Sequence, residues 1–276
     1  MGKQLPVVQT TTQEFKCDPY KLCEGAQCCR GNESYPSLSI GDYIRISGAT
    51  GKPLTALWRD AGDVQLSDFS DLEKGEYLMT LSLLHDPCPY LTDDFRCSIY
   101  EARPLGCGSF PFLLFKYDPE QIRENYKHYA CLHGIQPSRE QIKFGEDVDT
   151  LMRKEAELDV RIMWSGKPRY ISVPNVAVYG KLALGANEMQ ERRDPAGRSY
   201  RSRRLLRAID KMNSFVMDGT LSRGINTDLY ISMVQPVVFT LVEDEIAKKL
   251  SSLTPDEIAA YGETTQRWKE LARRAL

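Results

Sequence analysis

No C-x-x-C pair occurs anywhere in this chain, histidines number only three, and the 145 residues after Cys131 contain no cysteine at all. The first absence excludes a zinc ribbon, which is built on two such pairs, and the C-x-x-C-x-x-C run of a bacterial ferredoxin is missing as well. Nor is there an apolar stretch near the ~20 residues that a membrane-spanning helix needs; Phe110 to Phe115 is among the longest. The N-terminus has a basic residue but no apolar run of signal-peptide length. Pro6 stands where a myristoylation motif wants Ser or Thr. Neither sign of charge is in excess: 36 Lys and Arg against 38 Asp and Glu give a net charge of −2. With a pI near 6.0, no global field favours nucleic acid or a membrane surface. A G-x-G-x-x-G loop and a C-x-x-x-C-x-x-C motif are both absent, so no signature of dinucleotide or radical chemistry is present. The expectation is a cytoplasmic protein without membrane association.

What is there is an uneven set of eight cysteines: Cys17, Cys23, Cys28, Cys29, Cys88, Cys97, Cys107 and Cys131. In a secreted chain they would read as disulfides. In a reducing compartment the same cluster reads as metal ligands. Hydrophobic content of 42% and charged content of 27% are those of an ordinary globular protein, and a chain of 276 residues buries enough core to need no covalent staples. Eight thiolates also suffice for two four-sulfur sites. Spacing supports a metal centre without saying which metal.

Along the chain, the cysteines lie in loop-rich stretches broken by Pro19, Gly25 and Gly31, as a cage that must curl around a centre requires. Pro36 to Ile40 suggests a short strand, Asp42 to Ser47 a short helix closed by Gly48, and Pro53 to Ala61 a second helix opened by its proline. Tyr77 to Leu84 is β-rich, and L-T-D-D-F-R-C-S-I-Y predicts a hairpin turning at Asp93-Asp94. After Cys131 the texture changes. Phe144 to Trp164 has near-helical apolar spacing and is broken by Gly166-Lys167-Pro168. Glu188 to Met217 is helical in character, and Thr254-Pro255-Asp256-Glu257 is a capping box with proline at the first helical position. The expected fold class is therefore α+β. A cysteine-rich metal-binding domain of short strands and helices spans about residues 15–138, and a mainly α-helical domain or extension follows over 139–276.

Cys28 and Cys29 pose a geometric question of their own. Neighbours point to opposite faces of a strand and diverge by about 100° in a helix, so the two are expected to serve different centres, or to leave one thiol spare. Around Cys88, Pro87 and Pro89 remove two backbone donors, so its sulfur is expected to receive fewer N–H bonds.

Phe15-x-Cys17, Cys23, the Cys28-Cys29 pair, C-P-Y-L at 88–91, C-S-I-Y-E-A-R-P at 97–104 and C-G-S-F-P at 107–111 resemble the YkgJ family of cysteine-cluster proteins. Members are described as zinc- or iron-chelating domains and are often labelled iron–sulfur-cluster-containing. The resemblance covers about residues 15–131 and takes in all eight cysteines. It departs from the family in two places. The usual opening is a tighter C-x-x-C-x-x-C-C, and an arginine commonly follows the cysteine at 107, where this chain has Gly108. The resemblance implies that all eight cysteines are cofactor- and metal-binding residues. The expected cofactor is an iron–sulfur cluster of the 4Fe-4S type, in a redox or cluster-handling role, with zinc as the alternative. Flagellin lysine-N-methylases carry a related cysteine pattern and use S-adenosylmethionine, so a methyltransferase-like enzyme or an iron–sulfur oxidoreductase is a second reading. A zinc-stabilised binding module is a third.

Three further features weigh as candidates. Glu101 and Arg103 stand between two cysteines, placed either to orient ligand loops and tune the centre's charge or to form an ordinary ion pair. His85, His128 and His133 lie near Cys88 or Cys131, but with eight thiols available a hydrogen-bonding role fits them better. The run from Arg192 to Arg207 has seven arginines and Tyr200, which would suit nucleic acid. Glu188, Glu191, Asp194 and Asp210 surround it, and a helix face contacting a partner protein is the preferred reading.

Overall fold

The computed structural model describes residues 26–30, 36–67, 76–83, 87–116, 129, 132, 137–166, 170–172 and 245–274. Within them the fold is α+β, a small antiparallel sheet covered by helices. The expected helix over Glu188 to Met217 and the arginine run at 192–207 lie outside the described residues. Among the described residues no helix is long and apolar enough to cross a membrane.

The sheet is organised on strand β3 (Glu76–Leu83), the strand read from the Tyr77–Leu84 pattern. Strand β2 (Gly62–Ser67) pairs along one side, from Gly62↔Leu83 to Ser67↔Leu78. Two short strands share the other side. β1 (Ser37–Leu38) pairs with Leu81 and Ser82, and β4 (Tyr170–Ser172) pairs with Glu76 to Leu78. Leu38, Val64, Leu81 and Leu83 are buried and form one wall of the core.

Helix α1 (Ile40–Thr50) begins earlier and ends later than its sequence suggests. Ser39 and Asp42 form a reciprocal capping box, each side chain accepting the other residue's backbone N–H. The chain runs through the exposed Gly48 and stops at Gly51, whose φ of 69° supplies the left-handed cap. Ile40, Tyr43 and Ile46 are buried at threefold spacing against helix α2 (Leu54–Ala61), where Leu57, Trp58 and Ala61 are buried in turn. Pro53 is the N-cap of α2 rather than its first residue.

The short helix α3 (Leu105–Ser109) follows Pro104 and carries Cys107. Helix α4 (Arg139–Ile162) starts five residues before the apolar pattern does, because Ser138 and Gln141 form a capping box at its end. The capping box at Thr254 also forms, but it opens only the short α5 (Pro255–Ala259), after which α6 (Gly262–Arg274) continues the run. Val148 and Leu151 of α4 pack with Trp268, Leu271 and Ala272 of α6 and with Leu105 of α3.

Between α1, α4 and α6 lies a buried polar network. The Arg45 guanidinium donates to Asp42 at 2.5 Å and to both oxygens of Glu155 at 2.6 and 2.9 Å. Ser39 and Thr264 hydroxyls donate to the same Glu155 carboxylate. Asp159 accepts from the Ile40 N–H at the start of α1 and from the Tyr261 hydroxyl at 2.6 Å. Two enclosed carboxylates, Asp42 and Glu155, thus share one guanidinium, while Asp159 is met by a backbone N–H and a hydroxyl instead. Burial is the largest influence on Asp42 and on Asp159, and it raises the pKa of both. Asp42 reaches further still: its Oδ1 accepts the Leu105 N–H at 2.9 Å and so ties α1 to the start of the cysteine-bearing α3.

Candidate metal centre

Five of the eight cysteines fall among the described residues, and all five are free thiols: Cys28, Cys29, Cys88, Cys97 and Cys107. Cys17, Cys23 and Cys131 lie outside them, as do His85, His128 and His133. The five come from three places. Cys28 and Cys29 sit on a single 3-10 turn (Gln27–Cys29), Cys88 and Cys97 on either side of a tight loop, and Cys107 on α3.

The first turn is shaped by Ala26, which precedes it at φ 56° and ψ 53°. A left-handed residue other than glycine carries a cost and is retained where the surroundings impose it. The result overturns the expectation that Cys28 and Cys29 diverge: their sulfurs are 3.8 Å apart. In a regular helix or strand this would not happen; the tight turn after Ala26 brings the pair together. The turn then docks on the Cys88 loop. The Cys88 N–H donates to the Cys29 carbonyl at 2.8 Å, and the Arg30 guanidinium lies 5.2 Å from the Phe95 ring centroid.

The predicted hairpin is reduced to one antiparallel bridge, Leu91↔Cys97. Phe95, at φ 58°, and the Thr92 hydroxyl close the turn, which leaves no room for a ladder. The two sulfurs of this loop are each met by the backbone N–H two residues on, Tyr90 for Cys88 and Ile99 for Cys97. The prolines at 87 and 89 therefore do not starve the Cys88 sulfur, since the Tyr90 N–H is free to serve it.

The thiols feel one another. The Cys29 hydrogen bond is the largest influence on Cys28 and, with burial, pushes its pKa well up. For Cys29 the Cys28 bond lowers the value, but its bond to Cys88, burial and the Cys88 and Cys97 charges outweigh this and push it up to about 12. The Cys29 bond instead lowers Cys88. Burial raises Cys97, against the Ile99 N–H and the Arg103 charge. Cys107 is raised well above the usual thiol range, by burial first and then by Cys88, Cys29, Asp42 and Cys97. Such a group of thiols resists becoming a group of thiolates unless a cation replaces the protons. Two observations fit a bound metal. Sulfurs on one tetrahedral zinc, at ~2.3 Å bonds, stand about 3.8 Å apart. The Arg103 Nε, buried beside the thiols, has no hydrogen-bond partner among the described residues. Among those residues, no three or more His, Cys, Asp or Glu side chains enclose a metal ion on their own.

Trp268 of α6, which motif reading passed over, and Arg103 of the C-S-I-Y-E-A-R-P segment shape the site. The Trp268 ring lies against Gly108, where a Cβ would run into it. Glycine at 108 leaves the room that the indole needs. Arg103 stacks 4.1 Å from the Tyr100 ring centroid and 5.8 Å from that of Trp268. Glu101 is exposed and forms no pair with Arg103 among the described residues.

Clustered thiols on loops, packed under helices, define a cysteine-cluster domain of the metal-chelating class. Residues 16–132 match the CxxCxxCC family model, described as "Putative zinc- or iron-chelating domain", which agrees with the cysteine-cluster resemblance of this segment. No solved structure matches the chain.

Proposed function

We propose that the protein holds an iron–sulfur centre through its cysteines, in a redox or cluster-handling role, with Cys28 and Cys29 ligating the same iron. The observation that carries this reading is the 3.8 Å separation of their sulfurs. A two-iron cluster takes four protein thiolates on two irons, and so two on each; a four-iron cluster takes one on each iron. The pair therefore favours the two-iron form over the expected four-iron type. With eight cysteines in the chain, four remain to orient the ligand loops or to form a second site.

Zinc is the second reading, and the same separation supports it, because a single tetrahedral ion also takes neighbouring thiolates. In that case the centre is structural. Protein prepared without oxygen separates the two. An iron–sulfur centre gives a brown solution with iron and acid-labile sulfide in equal amounts. A colourless protein with stoichiometric zinc and no sulfide would reject iron in favour of zinc, and a protein with neither metal would reject both.

A further inference from the structure

The reading proposed above uses cysteines alone, yet the same segment carries a cation, Arg103, with no carboxylate partner among the described residues. Arg103 lies between Cys97 and Cys107 in the chain, is half-buried, and among the described residues has no salt bridge. Its neighbours are aromatic instead. The Tyr100 ring is 4.1 Å and the Trp268 ring 5.8 Å from the guanidinium carbon, both inside the ~6 Å range of cation–π contact. Rings on α6 and on the Tyr100–Ala102 turn thus hold the guanidinium in place. The buried Nε–H has no hydrogen-bond partner among the described residues. A buried donor without a partner is destabilising, so this orientation needs a reason.

We propose that Arg103 is the counter-ion of the metal–thiolate centre, held by Tyr100 and Trp268 so that its Nε–H donates to a sulfur of the loaded site. The inference rests on the metal reading above. Four thiolates on one divalent ion carry a net charge of about −2, and a buried anion of that size requires a cation. The Trp268 ring that Arg103 faces also lies against Gly108, the neighbour of Cys107, so the guanidinium stands next to the cysteine-bearing α3. Trp268 then has two tasks: it covers Gly108, next to Cys107, and it fixes the guanidinium. Arg103 is a positioning residue, since it touches the ligands and not the metal.

Cobalt(II), added without oxygen to the metal-free full-length protein, reports on this through its thiolate charge-transfer absorption. Arg103→Gln is expected to weaken cobalt binding about tenfold, as loss of a partner to ligands does, and to shift the band, while the metal-free melting temperature stays at the wild-type value. Arg103→Lys keeps the charge without the Nε–H, and is expected to recover most of the affinity with the band still shifted. Wild-type affinity and an unshifted band in Arg103→Gln would overturn the inference. So would a weakened Arg103→Gln that Lys does not rescue and that melts lower without metal, which is the mark of a packing role. If the wild-type protein itself develops no thiolate–cobalt band, the metal reading fails, and the inference with it.

Discussion

Two regions of this molecule are built on opposite principles. The scaffold of α1, α2, α4, α6 and the sheet is regular, capped and closed by apolar packing around Trp58, Tyr43, Ile46 and Val148. The cysteine loops at 26–30 and 87–110 are short turns with left-handed residues and one isolated bridge. Where the scaffold buries charge, it matches donors to acceptors, as around Glu155. The loops instead gather five free thiols and the buried Arg103 Nε, which has no hydrogen-bond partner among the described residues. Asp42 and Trp268 are the points where the two regions meet.

The largest expected effect breaks the scaffold. Glu155→Ala removes the acceptor of Arg45, Ser39 and Thr264 and leaves a buried guanidinium with Asp42 alone. Losing one partner of a buried pair costs about 3–5 kcal/mol, a large share of the roughly 5–15 kcal/mol that stabilises an ordinary domain. Thermal melting should show it, and metal content should fall with it. A chain ending at Ser138 lacks Glu155, Asp159 and Trp268 together, so it is expected to be unfolded rather than a free-standing metal domain. A soluble, metal-loaded product of that length would show that the loops do not depend on the helices beyond 138.

A second test breaks the loops and spares the scaffold. Serine at Cys28 and serine at Cys29 are expected to remove the same metal atom and leave the same residual spectrum, with metal-free melting close to wild type. Two distinct residual spectra would restore the separate-centre reading and dismiss the shared atom. A third addresses the junction. Gly108→Ala forces a methyl group into the Trp268 ring, and overpacking of this kind costs roughly 1–3 kcal/mol. Metal retention should drop together with stability, because α3 also carries Cys107. An unchanged melt would mean that the indole moves aside freely.

How far these regions were legible in the sequence differs for physical reasons. Patterns with local causes were readable: the Ser39 helix, β3, the amphipathic stretch of α4 and the Thr254 capping box all announce themselves within a few residues. Strand β2, G-D-V-Q-L-S, has too little apolar contrast to stand out, and β4 is only three residues long. Glu155 looks like Asp147 or Asp149 on the same helix, which pair with Lys143 and Arg153 in the open. Its partner Arg45 is 110 residues away. The cysteines were legible as a set because their chemistry is particular. The convergence of Cys28 and Cys29 was not, since it hangs on the backbone of Ala26. Trp268 was also hidden, although Gly108 was its trace.

The smallest effect expected concerns Asp159, and it sharpens the contrast by asking whether the scaffold titrates. Asp159 accepts the Ile40 N–H and the Tyr261 hydroxyl, but burial outweighs both and holds its carboxyl well above the usual range. Glu155 and Asp42 add to the rise. Unfolded, the same group titrates near pH ~3.9. Between that value and its folded pKa, the folded protein holds a proton that the unfolded chain has lost. Stability from this source is therefore complete below about pH 4 and is lost as pH rises through the folded pKa. Asn keeps one acceptor for the Tyr261 hydroxyl and cannot ionise. Asp159→Asn is thus expected to melt slightly below wild type at pH 5, by about 1 kcal/mol for an imperfect hydrogen bond. The deficit should shrink or reverse by pH 8. Asp42, raised by the same burial, remains in both proteins and leaves a shared slope that cancels in the comparison. A difference between variant and wild type that stays constant from pH 5 to pH 8 would mean that Asp159 is ionised in the folded protein as it is in the unfolded chain, and that burial does not hold its proton.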